Sequence, residues 1–250
     1  TRIHIEEDAG KLIHTASGGT LCDYNRCGVP LIEIVSEPDI RSAEEAVAYV
    51  QKLRAIMLYT GVSDCKMQEG SLRCDVNLSV RKRGEKAFGT RTEMKNLNSF
   101  QFIQKAITYE YKRQVEALEA GEKIVQETRR FDEKTGKTFS MRRKENANDY
   151  RYFPDPDLVP IVLSDTTIAR LEGEIPVLPD ERKAAYLERF GLTAADAEAL
   201  VSQREIADYF EAAAAHSKGV KTLAHLITSE VFRLLPVGET RIPIAPAHLG

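Results

Sequence analysis

Leu72-Arg73-Cys74-Asp75-Val76-Asn77-Leu78-Ser79-Val80-Arg81 is the stretch that decides the fold class. Apolar and polar side chains alternate along it, and residues two apart in a strand share a face. Leu72, Cys74, Val76, Leu78 and Val80 therefore define a packed face, with Cys74 as a buried thiol. Arg73, Asp75, Asn77, Ser79 and Arg81 define an open face. After a turn near Arg83-Gly84-Glu85, a second strand is expected from Phe88 to Leu97, with Arg91, Glu93 and Lys95 on one face. Two such strands in succession predict a hairpin. Paired in that sense, Asp75, Asn77, Glu93 and Lys95 form one polar surface.

Two long helices flank this hairpin. Ser42 and Glu45 form a capping box, Ala46, Val47, Val50, Leu53 and Met57 make an apolar stripe, and Gly61 ends the first helix. The second is expected from about Ser99 to Ala120, with Asn98 and Gln101 at capping spacing and Gly121 as terminator. Its apolar face is read as Ile103, Ile107 and Leu118. A further hairpin joins Ile124–Phe131 to Lys137–Arg143 through Lys134-Thr135-Gly136. Strands and helices mix without the regular alternation of a parallel sheet. The expectation is an α+β fold, an antiparallel sheet with helices on one side.

From about residue 166 the pattern is helical, after the prolines of Asp155-Pro156-Asp157-Leu158-Val159-Pro160. Helix starts are expected at Pro179-Asp180-Glu181, at Thr193 with Asp196, and at Ser202 with Glu205, and Gly191 and Gly219 punctuate the helices. Two domains are expected, 1–165 mixed and 166–250 helical.

The chain has 250 residues, 42% hydrophobic and 29% charged, enough for a sizeable core. Mean hydropathy of -0.34 and no long apolar run argue against a membrane span. A net charge of -3 confines any nucleic-acid surface to a local patch. The candidate patch is the basic stretch containing Arg142, Arg143 and Arg151, beside Tyr150, Tyr152 and Phe153; a solvated hairpin has the same composition. Cys22, Cys27, Cys65 and Cys74 form no Cys-x-x-Cys pair, which disfavours zinc and fits a reducing compartment. The five histidines show no metal-ligand spacing. No P-loop, Rossmann glycine pattern or serine-nucleophile elbow is present.

Two carboxylates stand out. Glu7 shares strand parity with Ile3 and Ile5, and Glu33 with Leu31 and Val35. A carboxylate on a buried face needs a cation, an ion pair or hydrogen bonds. A divalent-metal site satisfies that spacing, and so does a glutamate that pairs with a structural arginine or faces water at a sheet edge. With Asp75, Asn77, Glu93 and Lys95 the set is rich in oxygen ligands, which suit Mg²⁺ and phosphoryl transfer. Arg26, after a glycine-rich segment, is a phosphate candidate or an ordinary loop arginine.

Several runs closely resemble the GatB family, the B subunits of the aspartyl/glutamyl-tRNA(Asn/Gln) amidotransferase. They are His4 to Lys11, Asp23 to Asp39, Glu69 to Asn77, Thr92 to Phe100 and Asp149 to Pro154. The resemblance is dense over residues 1–165 and looser beyond. It implies a catalytic domain of glutamine synthetase type, an antiparallel sheet lined with acidic ligands. It implies use of ATP and Mg²⁺ to phosphorylate the side-chain carboxylate of a glutamate or aspartate mischarged on tRNA. A GatA amidase supplies the ammonia, GatC is the third component, and the products are Gln-tRNA and Asn-tRNA. Glu7, Glu33 and Glu93 would be metal ligands, with Glu7, Glu33 and Lys95 catalytic. Arg26, Arg73, Asp75, Asn77, Arg91 and Glu93 would be nucleotide or phosphate contacts. Arg142, Arg143 and Arg151 would touch tRNA. The bacterial cytoplasm is the expected location, with an organellar matrix as the alternative. The family's Gly-Leu-Glu-x-His segment, zinc-binding cysteines and C-terminal tail domain are not in this sequence, so a longer protein is expected. An RNA-docking scaffold and a ligase acting on a free small acid stay open as other functions.

Overall fold

The computed structural model describes residues 2–15, 17–143, 159–236 and 239–250. By Cα proximity the chain forms two compact units, Thr1–Glu45 and Ala46–Gly250.

The first unit holds two separate ribbons. β1 (Arg2–Glu7) pairs antiparallel with β4 (Pro30–Val35), and β2 (Lys11–His14) with β3 (Thr20–Asp23). A two-stranded ribbon has no layer of its own to cover either face. Accordingly Ile3 and Ile5 are 62% and 73% exposed, and Leu12, Ile13, Leu21 and Ile32 are also exposed. Glu7 and Glu33 are exposed too, so the expected buried acidic face is not found.

In the second unit, α1 (Ala43–Thr60, its first residues still in the ribbon unit) has the Ser42 half of the expected capping box, while the Glu45 carboxylate accepts from the Arg41 amide at 2.6 Å instead. The Ser42 hydroxyl accepts from the Glu45 amide and Gly61 closes the helix at φ +70. The deciding stretch keeps its alternation in burial from Leu72 to Leu78, but only β5 (Val76–Leu78) enters a ladder. Cys74 is half-buried rather than buried. β6 is Thr92–Lys95, shorter than expected, and the β5–β6 pair is antiparallel. Gly89 lies where a Cβ would stand 2.1 Å from the Val80 carbonyl oxygen, so the chain between these strands closes only on glycine.

α2 (Phe100–Glu119) then carries the chain back across the sheet, so β7 (Glu127–Asp132) joins β6 in parallel. This corrects the expected all-antiparallel sheet: a long helical crossover returns the chain to the end where it started. β8 (Lys137–Arg143) closes the expected hairpin with β7, with a bulge between Thr128 and Arg129. The order is β5-β6-β7-β8. The cap of α2 is Ser99, whose hydroxyl accepts from the Phe102 amide at 3.1 Å, not Asn98. Leu118 is exposed, while Ile103 and Ile107 are buried.

α2 covers one sheet face, against Thr92, Met94, Phe131 and Thr138. Within this layer Glu110 is fully buried. Its carboxylate accepts from Thr92 Oγ1 (3.0 Å), Thr138 Oγ1 (2.8 Å), Arg113 Nη2 (2.6 Å) and Gln114 Nε2 (3.1 Å), with Arg129 Nε at 3.3 Å. A buried carboxylate survives only with such a set.

Described residues beyond 159 are helical: α3 (Asp165–Glu174), α4 (Pro179–Phe190), α5 (Ala194–Leu200), α6 (Arg204–Ala214), α7 (Val220–Leu226), a π-helical turn (Ile227–Val231), α8 (Phe232–Leu234) and α9 (Pro246–Leu249). Pro179 and Thr193 begin helices as expected. α6 follows Gln203, with no side-chain cap from Ser202. Tyr186, Leu200, Phe210, Leu223 and Ile227 form the core of these helices. The Tyr59 hydroxyl donates to the Val201 carbonyl at 2.9 Å, and Arg204 Nη1 to the Tyr59 carbonyl at 3.1 Å. These bonds tie the end of α1 to the helices, and both belong to the unit Ala46–Gly250.

Candidate active site

The face of the four-stranded sheet opposite α2 carries the expected polar surface. Asn77 stands opposite Glu93, Glu93 beside Thr128, and Lys95 beside Arg130. Paired residues project to the same side. Lys95 Nζ donates to Asp75 Oδ2 at 2.7 Å and lies 3.5 Å from Glu93 Oε1. Thr128 Oγ1 donates to Glu93 Oε2 at 2.8 Å. Partial burial by itself would lower the Lys95 ammonium. The hydrogen bond and charge of Asp75, with Glu93, outweigh that and hold it above the usual lysine value. Lys95 is thus a fixed cation on a half-exposed face. Cys74, beside Asp75 in sequence, is no nucleophile: burial pushes its thiol up to about 11.

The structure therefore brings Asp75, Asn77, Glu93 and Lys95 together. It adds Thr128, which sequence reasoning missed, and Arg130, which the sequence placed only in the basic stretch. Arg91 is exposed one residue before β6, and Arg73 is exposed outside any strand. Arg142 occupies the register position opposite Thr128. The side chains of Arg142 and Arg143, and Arg151 entirely, lie outside the described residues.

In the ribbon unit, Glu33 is opposite His4 and Glu7 opposite Pro30. Counting along the register, His4, Glu6 and Glu33 share one face, whereas Glu7 points to the other with Ile5 and Ile32. Glu7 and Glu33 are therefore not brought together. Glu6 is the carboxylate that meets Glu33. His4 Nδ1 is 3.5 Å from Glu33 Oε2 and 3.9 Å from Glu6 Oε1, and one ligand atom from each of the three falls within 4.8 Å of the others. Arg26 donates through Nε to the Ala9 carbonyl at 2.9 Å and sits 3.8 Å from Asp8, bracing the ribbon's loops.

Mg²⁺ prefers an octahedral shell of oxygens. Glu7 and Glu33 leave opposite faces of their ribbon, and Glu93 accepts from Thr128 and lies 3.5 Å from Lys95. The chemistry that the sheet face does offer is a positive charge steadied between carboxylates, with a hydroxyl and an amide beside it.

The sheet face thus carries an acid–lysine–acid cluster, in an α+β domain with no P-loop and no Rossmann pattern. The model of the GatB/GatE catalytic domain matches residues 1–169, and the chain belongs to that family. It is similar to proteins called the B subunit of aspartyl/glutamyl-tRNA(Asn/Gln) amidotransferase. The relative from Caldicellulosiruptor saccharolyticus is 58% identical, over 100% of this chain and 53% of its own length. That from Carboxydothermus hydrogenoformans is 53% identical, over 100% of this chain and 53% of its own. That from Staphylococcus epidermidis is 57% identical, over 97% of this chain and 51% of its own. The chain spans about half the length of the curated relatives it matches. Among the described residues no helix is long and apolar enough to cross a membrane.

Proposed function

We propose that this chain carries the activating domain of a tRNA-dependent amidotransferase, a carbon–nitrogen ligase. In this reading a side-chain carboxylate oxygen of glutamate or aspartate, esterified to tRNA(Gln) or tRNA(Asn), attacks the γ-phosphorus of ATP. The bond to the bridging oxygen breaks and ADP leaves. Ammonia then attacks the acyl phosphate, phosphate departs, and the amide forms. ATP is needed because a carboxylate lacks a leaving group. The ammonia comes from a partner amidase, GatA, and GatC completes the assembly. The work is done in the bacterial cytoplasm, a location supported by the bacterial origin of the relatives.

The observation that carries this reading is Lys95, bonded to Asp75 and close to Glu93 on an exposed sheet face, within a chain of the GatB/GatE family. The lysine's role is to bind and neutralise phosphoryl oxygens as charge builds on them. Glu93, held by Thr128, keeps the ammonium aimed. Mg²⁺ enters this reading from the family resemblance.

The test is ATP turnover stimulated by mischarged tRNA, in the full-length protein with its partner subunits. Glu93→Gln should lower that turnover by about 10²-fold, the scale of removing one preorganised electrostatic group. Turnover within a few-fold of wild type would remove this face from the reaction.

A further inference from the structure

One row of residues on the polar face extends past the lysine. Asp75 is bonded to Lys95 on β6, Lys95 is in register with Arg130 on β7, and Arg130 with Phe139 on β8. Side chains in register across a sheet stand side by side on one face. The row therefore runs carboxylate, ammonium, guanidinium, aromatic ring.

Phe139 is unusual in its place. Its neighbour Thr138 is buried under α2 and Phe131 on β7 is buried on that same side, yet the Phe139 ring is 47% exposed on the polar face. Arg130 is also open, 55% exposed, its ion pair with Asp132 a loose 3.9 Å contact. The Asp132 carboxylate is occupied by Thr135, through its amide at 2.8 Å and its hydroxyl at 2.9 Å. Two strand spacings put Phe139 about 10 Å from Lys95 along the row. That offset suits a planar base at one end of a ligand and a phosphate chain at the other.

We propose that Phe139 and Arg130 form the base end of a nucleotide site: the Phe139 ring stacks on the purine of ATP, and the Arg130 guanidinium meets the ribose or the first phosphate. The inference rests on the reading of this face as a phosphate site and adds which residues recognise the rest of the nucleotide. An adenine nucleotide is favoured over an RNA strand by length: the row from Lys95 to Phe139 spans about 10 Å, the reach of one nucleotide, and among the described residues it carries one aromatic ring, where a strand-tracking surface stacks successive bases on several.

These 250 residues contain no tryptophan, so within them Phe139→Trp places a single indole fluorophore at the stacking position. In the full chain, titration with ATP should quench its emission, and inorganic tripolyphosphate should bind without quenching. Phe139→Ala should weaken ATP about tenfold, within the range for loss of one stacked base, and leave tripolyphosphate affinity unchanged. ATP affinity unchanged in Phe139→Ala, or ATP that binds without altering the tryptophan, would overturn the assignment while the phosphate site stands. Quenching by single-stranded RNA and not by ATP would also overturn it, making the ring an RNA contact. Failure of wild type to bind ATP or tripolyphosphate would remove the phosphate site and this inference together.

Discussion

Glu110 shows how one residue can be read from structure and not from sequence. It sits on the buried face of α2, where its helical position alone would mark an error or a site. Burial by itself would raise its carboxyl. Hydrogen bonds from Arg113, Gln114 and Thr138, with the charge of Arg113, outweigh that and hold it below the usual glutamate value. A lowered folded value means that ionised Glu110 stabilises the fold above the usual carboxylate range. That contribution is lost as pH falls through the lowered value. Glu110→Gln should therefore cost about 3 to 5 kcal/mol at pH 7, the scale of breaking a buried ion pair. In urea unfolding the gap between wild type and variant should narrow below pH ~4. A gap that does not change with pH would contradict the account. The same limit governs the candidate site. Asp75, Asn77, Glu93 and Lys95 were legible because alternation is a local property. Thr128 and Arg130 were not, because which strand lies beside β6 depends on a crossover built on a helix of 20 residues.

At the scale of elements, periodicity identified the strands and misjudged their surroundings. It put Glu7 and Glu33 on buried faces because apolar residues share their parity, whereas β1 and β4 form a ribbon exposed on both sides. Register then decides the pairing, and a shift of one position exchanges Glu6 for Glu7 beside Glu33. His4 was set aside with the other histidines for the same reason: its partners Glu6 and Glu33 come from two strands, and no spacing within one strand shows them. Helix boundaries were legible to within a residue or two, and the α2 cap illustrates the margin. Ser99→Ala should cost about 1 kcal/mol in thermal or urea unfolding, while exposed Gln101→Ala should stay within about 0.5 kcal/mol. Equal costs at the two positions would argue against Ser99 as the cap.

At the scale of the whole molecule, the change from mixed to helical structure near residue 165 was legible from composition and proline placement. The compact units follow different physics, packing and hydrogen bonds between distant segments. Tyr59 is an example: it is fully buried, and burial pushes its hydroxyl up to about 12, so it stays a neutral donor to the Val201 carbonyl. Tyr59→Phe leaves that buried carbonyl unpaired and should cost about 1 to 3 kcal/mol. Protection of the helical-segment amides from hydrogen exchange should fall with it. A change confined to α1 would show that the helices are not coupled to it.

The central claim is that the open face of the four-stranded sheet binds ATP through Lys95. Equilibrium ATP binding to wild type and Lys95→Ala tests it most directly. Because Lys95 and its hydrogen-bonded partner Asp75 are half-exposed and Glu93 keeps its bond from Thr128, the variant's stability should change by no more than about 1 kcal/mol. Its ATP affinity should fall at least about tenfold, as expected for loss of a charged contact to phosphate. An affinity equal to wild type, in a variant with an unchanged unfolding midpoint, would contradict the account.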